Sequence, residues 1–136
     1  MTETGTSVGV TLETDAGLGV VTIDRPEVRN ALGLATVAEL DRALDDALDA
    51  DVAVLVVRGG GDRAFVSGGD LKELAAIRTH EDAVAMACTV RRLLDRVASF
   101  PVPVLAALNG EVPDNVYNRE VIPRWKERFG GASVTS

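Results

Sequence analysis

The spacing of apolar residues changes period along the chain, and the changes mark out its secondary structure. From Val8 to Glu13 apolar and polar residues alternate, the period-two pattern of a strand with one buried face. Asp15-Ala16-Gly17 supplies a turn, and Leu18 to Ile23 is apolar and β-branched, so the two segments predict a β-hairpin. Asp24-Arg25-Pro26 ends the second strand, because proline has no N–H to give to a ladder, and the stretch through Asn30 reads as an exposed loop. Val37, Leu40, Leu44, Ala47 and Leu48 then fall on one face of a helix, with Asp41, Asp45 and Asp46 turned largely outward. Val52 to Val57 is an unbroken apolar run, as in a strand covered on both faces, and Gly59-Gly60-Gly61 breaks it.

Ala64 to Gly69 is short and glycine-ended. Asp70 followed by Glu73 has the spacing of a helix N-cap with a reciprocal partner, and Thr79 with Asp82 repeats it for the next helix. Ala83, Ala87, Val90, Leu94 and Val97 trace the apolar stripe of that helix. Phe100-Pro101-Val102-Pro103 stops it ahead of a strand at Val104 to Leu108. The order β, β, α, β, α, α, β predicts a layered α/β fold.

Composition narrows the chemistry. The 136 residues suit one domain, and 46% hydrophobic with only 4% aromatic residues implies a core of Val, Leu and Ala. A net charge of -7 argues against nucleic acid or an anionic membrane as partner, so an anionic ligand needs a local basic patch. The single cysteine, Cys88, leaves no intrachain disulfide and reads as a small core residue. The single histidine, His80, sits at a helix start and reads as solvated. The amino terminus lacks the pattern of a signal peptide, and no run approaches the ~20 apolar residues of a membrane span, so a cytoplasmic location is the expectation.

Four segments share order and separation with one known family. They are Val21 to Pro26 with Asn30-Ala31-Leu32, Val54 to Gly59, Ala64 to Leu74, and Pro101 to Val104 running on to Asn109-Gly110. Together they span residues 8 to 110 and resemble the front half of the enoyl-CoA hydratase/isomerase, or crotonase, family. The resemblance implies a crotonase-like spiral of ββα units, incomplete here at about the first half of the domain. Residues 1–110 form that part, and 111–136 are a non-family tail for which a helix is one reading. It also implies an acyl-CoA thioester as ligand, with coenzyme A part of the substrate and no separate cofactor. Partners would be copies in a trimer-type homo-oligomer or a full-length relative.

The family stabilises a thioester enolate, and an oxyanion needs preorganised N–H donors such as a glycine-rich turn offers. Ser67-Gly68-Gly69-Asp70 is a turn of that kind. By match to the family motif, the backbone N–H of Gly69 is one of two oxyanion donors. The resemblance puts the backbone of Ser67, Asp70 and Leu71 at the CoA-binding positions and Arg63 and Lys72 where flanking bases meet its phosphates, with solvated surface charges the other reading of the two. Val28 and Ala31 fall at the ligand-facing positions of the preceding loop. Glu27 departs from the family by standing where a base is frequent, leaving Arg25 or Arg29 to compensate. A turn whose glycines serve geometry alone is the other reading.

The resemblance fails after Asn109-Gly110. The family continues there with a run of glycines and a catalytic glutamate, whereas this chain reads Glu111-Val112-Pro113-Asp114-Asn115-Val116-Tyr117-Asn118. Asn118 occupies the first glutamate's position, Glu120 is two places late, and the second glutamate's position lies past Ser136. The expectation is therefore a catalytically incomplete member of the family. The alternatives are a non-catalytic module for CoA thioesters or oligomer assembly, and a truncated or fused gene product. Residues 115–125 bear a faint similarity to the carboxy-terminal end of NAD-dependent 2-hydroxyacid dehydrogenases, though the chain has no Rossmann fingerprint.

Overall fold

The computed structural model describes residues 9–108. The expectations for Asn109-Gly110 and for the tail lie outside this range. Strands β1 (Val10–Asp15) and β2 (Leu18–Ile23) form the expected antiparallel hairpin, with Val10 opposite Ile23 and Asp15 opposite Leu18. Both residues of its tight turn lie at positive φ, Ala16 at 47° and Gly17 at 84°, because that geometry matches the right-handed twist of the strands. A single 3-10 turn at Pro26–Val28 leads into α1 (Leu34–Asp49), which returns the chain to β3 (Val54–Gly59). A short α2 (Leu71–Ala76) and a long α3 (His80–Ala98) then lead to β4 (Val104–Leu108). The sheet runs β1-β2-β3-β4, with β2, β3 and β4 mutually parallel, so the helices serve as crossover connections.

One core cluster joins Val21, Ile23 and Leu55 of the sheet to Val37, Leu40 and Leu44 of α1 and Leu93 of α3. A second, of Leu18, Val20, Val54 and Val56, occupies the other face, which accounts for the unbroken apolar run in the sequence.

Two expectations about α3 are corrected. Its buried residues are Met86 and Leu93, flanked by half-buried Val90 and Val97, whereas Ala87 is exposed and Leu94 is 57% exposed. The same rotation puts Cys88 on the surface and not in the core. The stripe keeps Val90 and Val97 but takes Met86 and Leu93 in place of Ala87 and Leu94, and α1 decides between the two. Arg96 Nη1 donates to the Asp41 carbonyl at 2.9 Å and to its carboxylate at 3.3 Å, while Nη2 pairs with the Asp45 carboxylate. Partial burial works against the charge on Arg96, but its hydrogen bonds to Asp45 and Asp41 prevail and raise its pKa. Asp45 is exposed and Asp41 half-buried, in keeping with their outward-facing reading, and from there both reach Arg96 at the α1–α3 contact. His80 is exposed at the start of α3, and no helix among the described residues is long and apolar enough to cross a membrane.

Candidate functional site

Two loops that are distant in sequence close against each other at one end of the sheet. The first, residues 24–32, is folded around Asn30, which is buried and has a left-handed φ of 58°. Its side-chain oxygen accepts the Arg25 N–H at 2.7 Å, and its amide donates to the carbonyls of Gly60 at 2.9 Å and Ala64 at 2.7 Å. One buried amide thus satisfies three backbone groups and ties the loop to the chain leaving β3.

The second loop is the glycine turn. Ser67 N–H donates to the Arg29 carbonyl at 3.2 Å, and Ser67 Oγ to the Val28 carbonyl at 3.4 Å. Leu32 N–H donates to the Gly68 carbonyl at 2.8 Å, and the Leu32 carbonyl accepts the Asp70 N–H at 2.9 Å. Leu32 and Gly69 therefore form an isolated parallel bridge in which Leu32 supplies both bonding groups. In a parallel bridge of this pattern the opposed residue's own N–H and C=O point the other way. The Gly69 N–H consequently faces away from Leu32 and has no hydrogen-bond partner among the described residues. Gly68, at φ 124°, makes the approach possible, since side chains rarely tolerate that conformation.

Asp70 caps α2 as expected, its Oδ1 accepting the N–H groups of Lys72 at 2.9 Å and Glu73 at 3.3 Å. Glu73 does not complete a reciprocal capping box. The Asp70 N–H is already bonded to Leu32, and Glu73 instead accepts the Leu34 N–H at 2.8 Å. It thereby caps α1, whose N-cap, Gly33, has no side chain to do so. A glycine at a helix start was the sequence signal that a distant group caps it.

The Asp70 carboxyl is held below its ordinary pKa, first by the Glu73 N–H, with Lys72 N–H and Arg25 adding to it against the opposing effect of desolvation. Ionised Asp70 therefore favours the folded state at neutral pH, and its contribution is lost as pH falls below the unfolded-state value of 3.8 and through the lower folded-state one. Urea midpoints at pH 6 and pH 3 for wild type and Asp70→Asn check this. The gap between the two proteins should narrow at pH 3, and an equal gap at both pH values would contradict the assignment.

The residues singled out in the sequence are brought together as follows. Ser67, Gly69, Leu71 and Lys72 are exposed on the turn, with Asp70 half-buried behind them. Val28 is half-buried beneath Ser67. Ala31 is 6% exposed, and its carbonyl accepts Arg25 Nη1 at 2.8 Å. Arg63 is exposed and lines, with Arg29, Asn30 and Asp62, a recess of about 120 Å³ beside the loop. Arg25 is turned inward and only 20% exposed, so of the two arginines considered for phosphate contact it is Arg29 that stays at the surface. Sequence reading missed this inward turn, and no local pattern around Arg25 marked it. Behind the turn, an apolar cleft of about 240 Å³ opens between sheet and helices, lined by Leu32, Val57, Phe65, Val66, Leu94 and Ala106 among others.

The chain is similar to known proteins. A family model described as enoyl-CoA hydratase/isomerase matches residues 13–114. The "Probable enoyl-CoA hydratase" of Bacillus subtilis is 35% identical over 102 residues, covering 74% of this chain and 39% of that protein. Its namesake in Rhodobacter capsulatus is 44% identical over 98 residues, covering 72% and 37%. The crystal structure of an enoyl-CoA hydratase/carnithine racemase from Magnetospirillum magneticum superposes with a TM-score of 0.66 at 32% identity, over 75% of this chain and 39% of that one. The chain thus spans about two fifths of the length of these relatives, and its four-stranded α/β architecture is the amino-terminal part of the crotonase fold. By motif, by sequence and by fold, the chain belongs to the enoyl-CoA hydratase/isomerase family.

Proposed function

We propose that this chain binds acyl-CoA thioesters at the Ser67–Lys72 turn, presents the Gly69 N–H to the thioester oxygen, and does not complete hydration by itself. The observation that carries the reading is the Gly69 N–H, which the Leu32 bridge leaves unpaired and fixed in direction. A donor held in this way needs no reorganisation when negative charge develops on an oxygen opposite it. The exposed bases Arg63 and Lys72 flank the turn on an otherwise acidic chain and would meet the CoA phosphates. Ser67, Asp70 and Leu71 frame the nucleotide through their backbone, with Val28 and Ala31 behind them. Coenzyme A enters as part of the substrate.

Hydration also needs a carboxylate to activate water and an acid to protonate carbon, both over the same substrate. The sequence following Asn109-Gly110 carries neither the family's glycine run nor its first glutamate. Lack of one oxyanion donor alone removes about 2.7–4 kcal/mol of transition-state stabilisation. A thermal melt with and without millimolar acetyl-CoA tests the binding. The transition is expected to rise with ligand by mass action, and the rise should vanish in an Arg63→Glu, Lys72→Glu double variant. A wild-type transition indifferent to acetyl-CoA, or hydration of crotonyl-CoA at the rate of a full-length relative, would sink the reading.

A further inference from the structure

We infer that Arg25 is a positioning residue for the Gly69 N–H. The Leu32–Gly69 bridge that aims this donor has one pair of hydrogen bonds and no ladder on either side of it, the other bonds between the segments, from Ser67 to Arg29 and Val28 and from Leu34 to Glu73, lying two or more residues away. Arg25 supplies what a ladder would. Its Nη1 donates to the carbonyl of Ala31, the residue before Leu32, at 2.8 Å and to Thr36 Oγ1 at 3.1 Å. Its Nη2 pairs with the carboxylate of Asp70, the residue after Gly69, at 3.4 Å. One planar guanidinium thus grips both sides of the bridge, one residue out on each.

The grip is itself anchored. The Arg25 N–H is bound by the Asn30 side chain, its carbonyl accepts the N–H groups of Val28 and Asn30, and its side chain is mostly buried. Asp70 is held from its other oxygen by the first turn of α2. Thr36, the third partner, is 1% exposed in the first turn of α1. The guanidinium therefore links three elements, α1, the 24–32 loop and the glycine turn, at the point where they set the direction of one N–H. A lysine ammonium keeps the charge but cannot span acceptors laid out for a planar fork.

This inference rests on the proposed reading of the turn for its purpose, and its test separates the two. Backbone amide order parameters by NMR, without ligand, read the positioning directly. In wild type the Gly69 amide is expected near about 0.85, and in Arg25→Lys and Arg25→Met it should fall below about 0.6, while Gly17 in the distant hairpin turn stays unchanged. The second arm compares affinities for acetyl-CoA and free CoA. Wild type should prefer acetyl-CoA, and in Arg25→Lys the ratio of the two affinities should fall by about tenfold, the effect of one misaligned hydrogen bond, whatever the change in affinity common to both ligands. A rigid Gly69 amide in a folded Arg25→Lys protein overturns the inference. So does failure of both variants to fold, since Arg25 would then be a stability residue alone. If wild type binds neither ligand, the proposed function falls, and the order parameters still decide the role of Arg25.

Discussion

Asn30→Ala is expected to remove on the order of 3 kcal/mol or more from the folded state, read as a fall in the urea midpoint at unchanged slope. The side chain is 1% exposed and serves the Arg25 N–H and the carbonyls of Gly60 and Ala64 at once. Alanine leaves all three without that partner at a largely buried junction, at about 1–3 kcal/mol for a buried group left unsatisfied and less for one that water reaches. It must also adopt the left-handed φ of 58° without asparagine's local hydrogen bonding. The same-sized Asn30→Asp is the informative companion. It keeps the acceptor for Arg25 but turns an oxygen toward two carbonyl oxygens, so it should be no better tolerated than alanine. A loss below about 1 kcal/mol in Asn30→Ala would show that the amide is not the tie between these loops.

Gly59→Ala is expected to cost about 3 kcal/mol or more, lowering the melting temperature by roughly 4 °C per kcal/mol for a domain of this size. An added Cβ would lie 2.5 Å from the Ala64 carbonyl oxygen, 2.6 Å from that of Phe65 and 2.8 Å from the Phe65 Cα. All three are backbone atoms, so no side chain can turn aside to make room, and the segment leading to Ser67 must shift. Thermal stabilisation by acetyl-CoA should be lost along with stability. Gly68→Ala gives the contrast. It meets nothing within 4 Å and is opposed only by its φ of 124°, so its cost should be smaller and confined to the turn. Equal melting temperatures for Gly59→Ala and wild type would mean the close approach can be relieved without moving the 64–67 backbone.

Much of the fold was legible because periodicity is a local property. The hairpin, α1, the apolar β3 and the proline-bounded β4 each announce themselves within a short window, and the Asp70 and Thr79 caps lie where their spacing puts them. The misses on α3 came from choices that only a partner makes. Its sequence supports two stripes that share Val90 and Val97, and the packing of Leu93 and the reach of Arg96 to Asp41 and Asp45 select one, sending Leu94 and Cys88 outward.

The candidate site divides in the same way. The turn itself could be read, since Gly68 and Gly69 followed by a capping aspartate encode a backbone shape. What aims it could not, because the bridge to Leu32, the Glu73 cap on Leu34 and the Arg25 contact with Ala31 all end on backbone atoms that every residue possesses. Side-chain pattern carries no trace of which backbone group will be met across dozens of residues.

The parallel pairing of β2 with β3 across α1 also fixes an order of assembly. The hairpin closes through neighbours in sequence, but Leu18 meets Val54 only after the whole of α1 has intervened, a loop closure whose entropic cost must be met before any pairing compensates it. Asn30 cannot satisfy its amide until Gly60 and Ala64 arrive behind β3, and Leu32 cannot bridge until Gly69 follows. On a chain emerging from its amino terminus, the apolar residues of the hairpin and α1 are therefore present before the strand that covers them, an interval in which a chain is open to misassociation. The donor-bearing turn can lock only after β3 and the residues just behind it have arrived, so its amides report a later step than closure of the hairpin.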